Sequence, residues 1–283
     1  MDLSFIIVNY RNSDTLPDCL DSIYQTARGI DFEVIVIDNN SGDAGLEKVE
    51  ERFPRARFIK NPANAGFAKA NNQAAGLSRG DVLLFLNPDA RLTDEAVTGM
   101  WAHLRSHPGI GVLGPKVLNP DGNLQYSCRR FPTLWTGLFN RYSLGSRLFP
   151  GNRFTSRYLM TDFDHEKTRE VDWLSGCCMM IPRKIFREVG GFDEHYFLFN
   201  EDVDLCQTLK QQGYRVIYFP HARVFHHIGS SRGKTDTQII IKRHRGMRYY
   251  YRKFGNGNLV FRGLVDSLIA LRCLSQIFLN WFR

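Results

Sequence analysis

The stretch DVLLFLNPDARL, Asp81 to Leu92, carries a continuous apolar run, VLLFL, that stops abruptly at Asn87-Pro88-Asp89. An unbroken run of this kind bounded by turn residues suits a strand covered on both faces, and Pro88 cannot donate to a continuing ladder. An acid is thus delivered to the tip of a buried strand. Outward from this stretch the pattern repeats: SFIIVNY, FEVIVID and ARFIKN read as strands, separated by helix-like segments near 15–26, 46–53 and 67–77. Strands alternating with helices predict an α/β fold with a mainly parallel sheet.

In such sheets the ligand crevice lies beyond the carboxyl ends of the strands. Here those ends read Asn9-Tyr10, Asp38-Asn39-Asn40, Asn61 to Gly66, and Asn87-Pro88-Asp89, all polar. Turn residues end strands in any protein, but carboxylates at two of these ends favour a site. Asp38 either accepts hydrogen bonds from a nucleobase or ribose, or closes an Asx turn. Asn64-Ala-Gly66 and Asn71 offer a close backbone approach and amides at a helix start, which suit an anionic ligand. Asp89 is the leading metal ligand, because a hard cation bridging a diphosphate needs only one or two protein carboxylates; Asn87 assists it.

Beyond about Arg91 the alternation weakens. Residues 115–169 are rich in Gly, Pro, Arg and aromatics without a period, followed by strand-like EVDWLSGCCMMIPR, a turn and helix over GGFDEHYFLFNEDVDLCQTLKQQGY, and a strand pair over RVIYFPHARVFHHIGSS. Glu201, Asp202 and Asp204 precede an apolar-periodic stretch, as ordinary helix-capping acids do; alternatively one is a general base for a hydroxyl nucleophile. His226 and His227 are adjacent in a strand, so alternation turns one toward any shared site, where an imidazole adds a metal ligand.

With 283 residues and 43% hydrophobic content the chain can bury a large core without staples. Its six cysteines are scattered and form no C-x-x-C pair, so a reducing compartment is the simpler reading. The N-terminus reads as a strand and not as a targeting peptide, which places the protein in the cytoplasm. A net charge of +8 favours an anionic partner: a phosphate-bearing substrate, a membrane surface or nucleic acid. No phosphate-loop motif, G-x-x-x-x-G-K-[ST], is present.

Taken in order, SFIIVNYRNSDTLPDCLDSI, VIVIDNNSGD, NAGFAKANN, LFLNPDA, DWLSGCCMMIPR, GGFDEHYFLFNEDVDLCQTLKQQGY and HARVFHHIGSS resemble the family-2 inverting glycosyltransferases of the GT-A fold, and most of all the bacterial rhamnosyltransferase-like branch that builds surface polysaccharides. The resemblance spans roughly residues 1 to 235, divided into a nucleotide-sugar half (1–114) and an acceptor-binding half (115–235). It implies that Asp38 contacts the base and that Asn64, Gly66 and Asn71 line the nucleotide-sugar pocket. Asn87-Pro88-Asp89 stands in the place of the family's D-x-D motif, with Asp89 on Mg²⁺ or Mn²⁺ and Asn where many members carry the first Asp. Trp173, Leu174, Ser175 and Gly176 resemble the segment shaping the donor-sugar and acceptor pocket. Glu201-Asp202 matches the family's E-D pair, with Asp202 as base, and His226 matches a histidine near the diphosphate. The implied partners are a nucleotide-diphosphate sugar, first of all dTDP-rhamnose, and a lipid-linked or polysaccharide acceptor.

Residues 236–283 form a basic, aromatic and amphipathic extension. KRHRGMRYYYRK, Lys242 to Lys253, interleaves cations with tyrosines, and on the helix that follows Arg262, Asp266, Arg272, Gln276, Asn280 and Arg283 gather within about a third of the wheel, with Val265 and Ile269 intruding. Charges interrupt the apolar run, which argues against a spanning helix, while the basic arc with Trp281-Phe282 suits an interfacial one on the inner face of the cell membrane. Packing of its apolar face on the catalytic domain is the alternative. Nucleic-acid binding through 242–253 is a competing function, but it leaves the strand-end carboxylates without a task; a silent GT-A scaffold is a third.

Overall fold

The computed structural model describes residues 1–133, 136, 152–227, 236–255 and 257–281. The chain begins β1 (Leu3–Asn9), α1 (Leu16–Thr26), β2 (Phe32–Asp38), α2 (Leu46–Arg52), β3 (Arg57–Lys60), α3 (Phe67–Leu77) and β4 (Val82–Leu86). These strands pair parallel in the order β3-β2-β1-β4, with Asn9 in register with Asp38 and Phe5 with Leu84. Alternation along β1 sends Phe5 and Ile7 into one core with α1 and α2, and Ile6 and Val8 into a second with α3. Helical cover on both faces is why these strands carry no polar alternation. On the α3 side Ala68, Ala70, Ala74 and Ala75 are buried, and such small side chains let the helix lie close to the sheet.

After β4 come β5 (Ala90–Leu92), α4 (Ala96–Ser106), β6 (Ile110–Leu118), β7 (Leu124–Gln125), β8 (Cys128–Arg129), α5 (Arg153–Leu159), β9 (Arg169–Glu170), β10 (Trp173–Leu174), β11 (Cys178–Pro182), α6 (Arg183–Glu188), α7 (Glu201–Gln211) and β12 (Arg215–His226). The main sheet continues β4-β11-β6-β12-β5. β11 runs antiparallel to both β4 and β6, and β5 antiparallel to β12, so the sheet is mixed where a mainly parallel one is expected.

Two further expectations change. EVDWLSGCCMMIPR is not one strand: β9, β10 and β11 are separate, and β10 pairs with β8 in a small second sheet. The turn Ser175–Cys177, between the two sheets, thereby reaches the strand ends. RVIYFPHARVFH is one strand, not a pair, and absorbs its irregularity as a register shift against β6 between Phe219 and Arg223. Residues 228–231 of that expected pair, and residues 134–135 and 137–151 of the aperiodic stretch 115–169, lie outside the described residues.

The chain closes with α8 (Thr237–Phe254) and α9 (Leu259–Trp281), joined to each other by Arg248 and Arg252 on Asp266 (2.9 and 2.6 Å) and Arg243 on Gln276 (2.5 Å). α9 is a continuous helix of 23 residues, long and apolar enough to cross a membrane by length and composition. The charges expected to interrupt the run, Arg262, Asp266 and Arg272, lie within this helix. Phe282 and Arg283, counted in the expected interfacial face, lie outside the described residues.

Candidate active site

The carboxyl ends of β1 and β2 lie side by side, and their polar residues interlock. Asn9 Nδ2 donates to Asp38 Oδ1 (2.9 Å) and Ser41 Oγ (3.1 Å); the Ser41 amide donates to Asp38 Oδ2 (3.2 Å), and its hydroxyl also donates to that carboxylate. Asn39, the next residue, holds the loop before α3. Its Nδ2 donates to Asn64 Oδ1 (2.9 Å) and Gly66 O (3.2 Å), and its Oδ1 accepts from the Ala65 amide (2.9 Å) and Asn61 Nδ2 (3.2 Å). Gly66 has φ +87°, and a Cβ there would meet Phe197 O at 2.6 Å, so only glycine fits.

A cleft of about 390 Å³ opens beyond these strand ends. Asn64, Gly66, Asn87 and Asp89 line it on the strand-end side; Ser175, Gly176, Glu201, Asp202 and His226 complete it. The main-chain bond Asn87 N–H to Cys177 O (2.9 Å) ties the tip of β4 to the turn before β11, which brings the two segments to one place.

At one end of the cleft His226 Nε2 lies 3.3 Å from Asp89 Oδ1 and 3.3 Å from Asn87 Nδ2. Gln125 fixes the imidazole. Its Nε2 donates to His226 O (2.6 Å), so its Oε1 is the group facing His226 Nδ1 at 3.0 Å, and Nδ1 must carry the proton. In the neutral imidazole, the form in which histidine ligates a metal, Nε2 presents a lone pair toward a carboxylate. Two such acceptors in contact call for a positive charge between them, and an oxygen–nitrogen donor pair of this kind fits Mg²⁺ or Mn²⁺, with further ligands from diphosphate and water. Among the described residues no three His, Cys, Asp or Glu side chains converge on one point.

At the other end Asp202 sits in the first turn of α7. The Gly176 amide donates to its Oδ2 (3.0 Å) and the Val203 amide to its Oδ1 (2.9 Å), which fixes the plane of the carboxylate. Burial pushes its pKa up, and these two backbone bonds hold it back. Glu201, 5% exposed, is raised well above the glutamate range by burial and then by the neighbouring Asp202 charge. Among the described residues its Oε2 has no hydrogen-bond partner. The arrangement sets a carboxylate pinned by two amides, a second buried acid beside it and the Asp89–His226 pair across the cleft.

The sequence model for Glycosyl transferase family 2 matches residues 4–190. The chain belongs to that family. A second model, described as the N-terminal domain of galactosyltransferase, matches residues 159–229. The N-acetylglucosaminyl-diphospho-decaprenol L-rhamnosyltransferase of Mycobacterium tuberculosis is 31% identical over 223 residues, covering 75% of this chain and 72% of the relative. Rhamnosyltransferase WbbL of Escherichia coli K12 is 25% identical over 230 residues, covering 78% and 82%. The solved structure of GalNAc-T7 with UDP, GalNAc and Mn²⁺ superposes with a TM-score of 0.64 at 16% identity, over 95% of this chain and 54% of that one. The fold of this family-2 glycosyltransferase is GT-A, with a C-terminal helix.

Four of the residues expected at this transferase's pocket stand behind it. Asp38 is buried and fully engaged beneath the strand ends. Asn71 is buried in α3, where its Nδ2 donates to Phe67 O (2.9 Å). Trp173 is buried with Nε1 donating to Arg130 O (2.8 Å), and Leu174 packs on Gly114. β10 ends at Leu174, so only Ser175 and Gly176 of that segment reach the cleft. His227 lies on the far side of Asp89, its amide bonded to Asp89 O (3.0 Å), with its side chain at a separate cleft. Sequence reasoning missed Asn39, Gln125 and Phe197. Asn39 could have been found from its place beside Asp38 at a strand end; Gln125 stands in an aperiodic stretch and carries no signal.

Proposed function

We propose that the chain transfers a sugar from a nucleotide-diphosphate donor to a hydroxyl of a lipid-linked or polysaccharide acceptor in cell-surface glycan synthesis, with inversion at the anomeric carbon. The observation that carries this reading is one cleft holding Asp202, pinned by two amides, and the Asp89–His226 pair. Asp202 accepts the proton of the acceptor hydroxyl, whose oxygen attacks the anomeric carbon as the nucleoside diphosphate departs. Asp89 and His226 hold Mg²⁺ or Mn²⁺, which when bound stabilises charge on the leaving diphosphate as a Lewis acid. Asn64 and Gly66 seat the nucleotide sugar, Asp38 shapes the base end from beneath through Asn9 and Ser41, and Ser175 and Gly176 border the sugar.

Rhamnose from dTDP-rhamnose is the first donor, supported by two rhamnosyltransferase relatives; another hexose or N-acetylhexosamine donor is the alternative. The exposed apolar side of α9 supports attachment at the inner face of the cytoplasmic membrane, where the lipid-linked substrate named for the mycobacterial relative would be met. Cations of the 242–253 stretch face partners within the chain: Lys242 over Phe197, Arg248 and Arg252 on Asp266, Lys253 on Asp193 and Asp204. That engagement speaks against nucleic-acid binding.

The deciding experiment is a thermal-shift screen of nucleotide sugars with Mn²⁺, followed by a transfer assay with the donor that stabilises most. A donor-specific, metal-dependent shift supports the reading. No shift with any nucleotide or nucleotide sugar, at millimolar concentration with Mn²⁺, counts against it.

A further inference from the structure

The loop that brings Glu201 and Asp202 to the cleft has a costly backbone. Phe199 and Asn200, consecutive and neither of them glycine, take left-handed φ values of +68° and +72°. Such residues persist only where the surroundings over-determine them. α8 packs against this loop.

One face of α8 meets this loop along its length. Lys242 Nζ lies 3.3 Å from the Phe197 ring centroid, and the Arg243 guanidinium stands 5.6 Å over the Phe199 ring. Gly246 comes so near that a Cβ would meet Tyr196 Cδ1 at 3.2 Å and Asn200 Nδ2 at 3.3 Å. Tyr249 OH donates to Asp193 Oδ2 (2.9 Å), and Lys253 Nζ bridges Asp193 Oδ2 (2.8 Å) and Asp204 Oδ1 (2.9 Å). Positions 242, 246, 249 and 253 recur at spacings of four, three and four, the signature of one helical face. Asp204 is buried and also accepts from Tyr196 OH (2.9 Å), so Lys253 supplies the cation that a buried carboxylate needs.

We propose that α8 clamps the catalytic loop and that Lys253 is its positioning residue: by joining Asp193 to Asp204 it closes the segment that carries Asp202 and sets where that carboxylate stands. Lys253 touches neither end of the reaction and acts through Asp204, two residues beyond Asp202 in the same first turn of α7. The functional half of the inference rests on Asp202 being the base; the structural half does not.

Lys253→Met keeps the stem and removes the charge, Lys253→Arg keeps the charge, and each is compared with the full chain by hydrogen exchange and kinetics. Expected for Lys253→Met is amide exchange at least about tenfold faster over 195–205 with β1 and β4 unchanged. With dTDP-rhamnose and Mn²⁺, kcat falls about 10- to 100-fold while donor KM stays within about twofold, since Lys253 bonds Asp193 and Asp204 and none of the residues that line the nucleotide end. Lys253→Arg restores both. Should Lys253→Met not fold, Gly246→Ala substitutes for it. That change favours the helix and wedges it off Tyr196 and Asn200, so faster exchange at 196–200 with an unlowered Tm is expected. Wild-type exchange over 195–205, or loosening shared equally with β1 and β4, overturns the clamp. A wild type inactive toward every donor, with loop exchange still answering to Lys253→Met, overturns the glycosyltransfer reading and leaves the clamp standing.

Discussion

Asp89 Oδ1 and His226 Nε2 face each other at 3.3 Å, with the imidazole proton committed to Gln125 on the opposite side of the ring. Gln125 therefore controls which lone pair a cation meets. Gln125→Leu removes both restraints on His226 while leaving Asp89 and His226 in place. Loss of an outer partner of a ligating histidine typically costs about 10- to 100-fold in metal affinity. Mn²⁺ titration by electron paramagnetic resonance, in the presence of UDP or dTDP, should show that loss with little change in Tm. Wild-type affinity in Gln125→Leu would contradict the tautomer assigned to His226.

Asp202→Asn keeps the shape of the side chain and the Val203 amide bond, but removes the proton acceptor. Loss of a general base lowers turnover by on the order of 10²- to 10⁴-fold. Nucleotide binding, which depends on the far end of the cleft, should be retained in calorimetry. Burial raises the Asp202 pKa, and a base works only when ionised, so the acid limb of kcat/KM should lie above the ordinary aspartate value of about 3.9. A limb at or below that value would remove Asp202 from the role.

Glu201 gives a prediction in stability. Its folded-state pKa is raised by burial and by Asp202, so the unfolded chain releases this proton at lower pH than the folded one. Stability is then lost as pH rises above the unfolded glutamate value of about 4.3, and the penalty is absent below it. Glu201→Gln removes the penalty and keeps a neutral side chain. Its Tm should exceed that of the wild type at pH ~8 and converge with it near pH ~4. Turnover should fall far less than in Asp202→Asn, because the carboxylate pinned by the Gly176 and Val203 amides is that of Asp202 and burial raises the Glu201 carboxyl well above the glutamate range.

The parallel half of the sheet is legible in the sequence because each strand there is apolar on both faces and each connection is a helix, so local pattern and global topology agree. The other half is not. β11 enters the sheet by pairing Cys178 with Leu86 and Met180 with Leu113, and no local periodicity encodes partners so distant in the chain. The site divides in the same way. Asn87-Pro88-Asp89 and Glu201-Asp202 announce themselves as acids at element ends, whereas Trp173 and Leu174 differ from Ser175 and Gly176 only in where β10 stops. α8 misleads most: its cations suggest an external anion, yet Lys253 is turned inward onto Asp193 and Asp204.

Gly66 links the nucleotide end of the cleft to the catalytic loop, since the next amide, Phe67 N–H, donates to Phe197 O at 2.7 Å. Gly66→Ala meets two penalties, a left-handed φ and a Cβ 2.6 Å from that same carbonyl. Together they should cost about 1–3 kcal/mol or more of unfolding free energy. Urea denaturation measures it. Because the clash pushes on Phe197, donor KM and kcat should both worsen in the folded fraction, unlike the kcat-only loss expected for Lys253→Met.

The exposed side of α9 gives the last prediction. Leu271 and Leu274 are 66% exposed and Phe278 61%, on a helix whose buried positions include Val265 and Ile269. Large apolar side chains this exposed add little to folding, so Leu271→Ser, Leu274→Ser and Phe278→Ser combined should leave Tm nearly unchanged. If the face lies in a bilayer interface, the same three side chains are transferred out of water on binding, at about 1.5–3 kcal/mol each for full burial. Partial insertion of all three still predicts a loss on the order of 10²- to 10³-fold in partitioning onto vesicles. Flotation with liposomes containing phosphatidylglycerol, at matched protein concentration, reads this directly. Equal flotation of the triple variant and wild type would remove α9 as the attachment surface. A large drop in Tm would instead show that this face packs on protein.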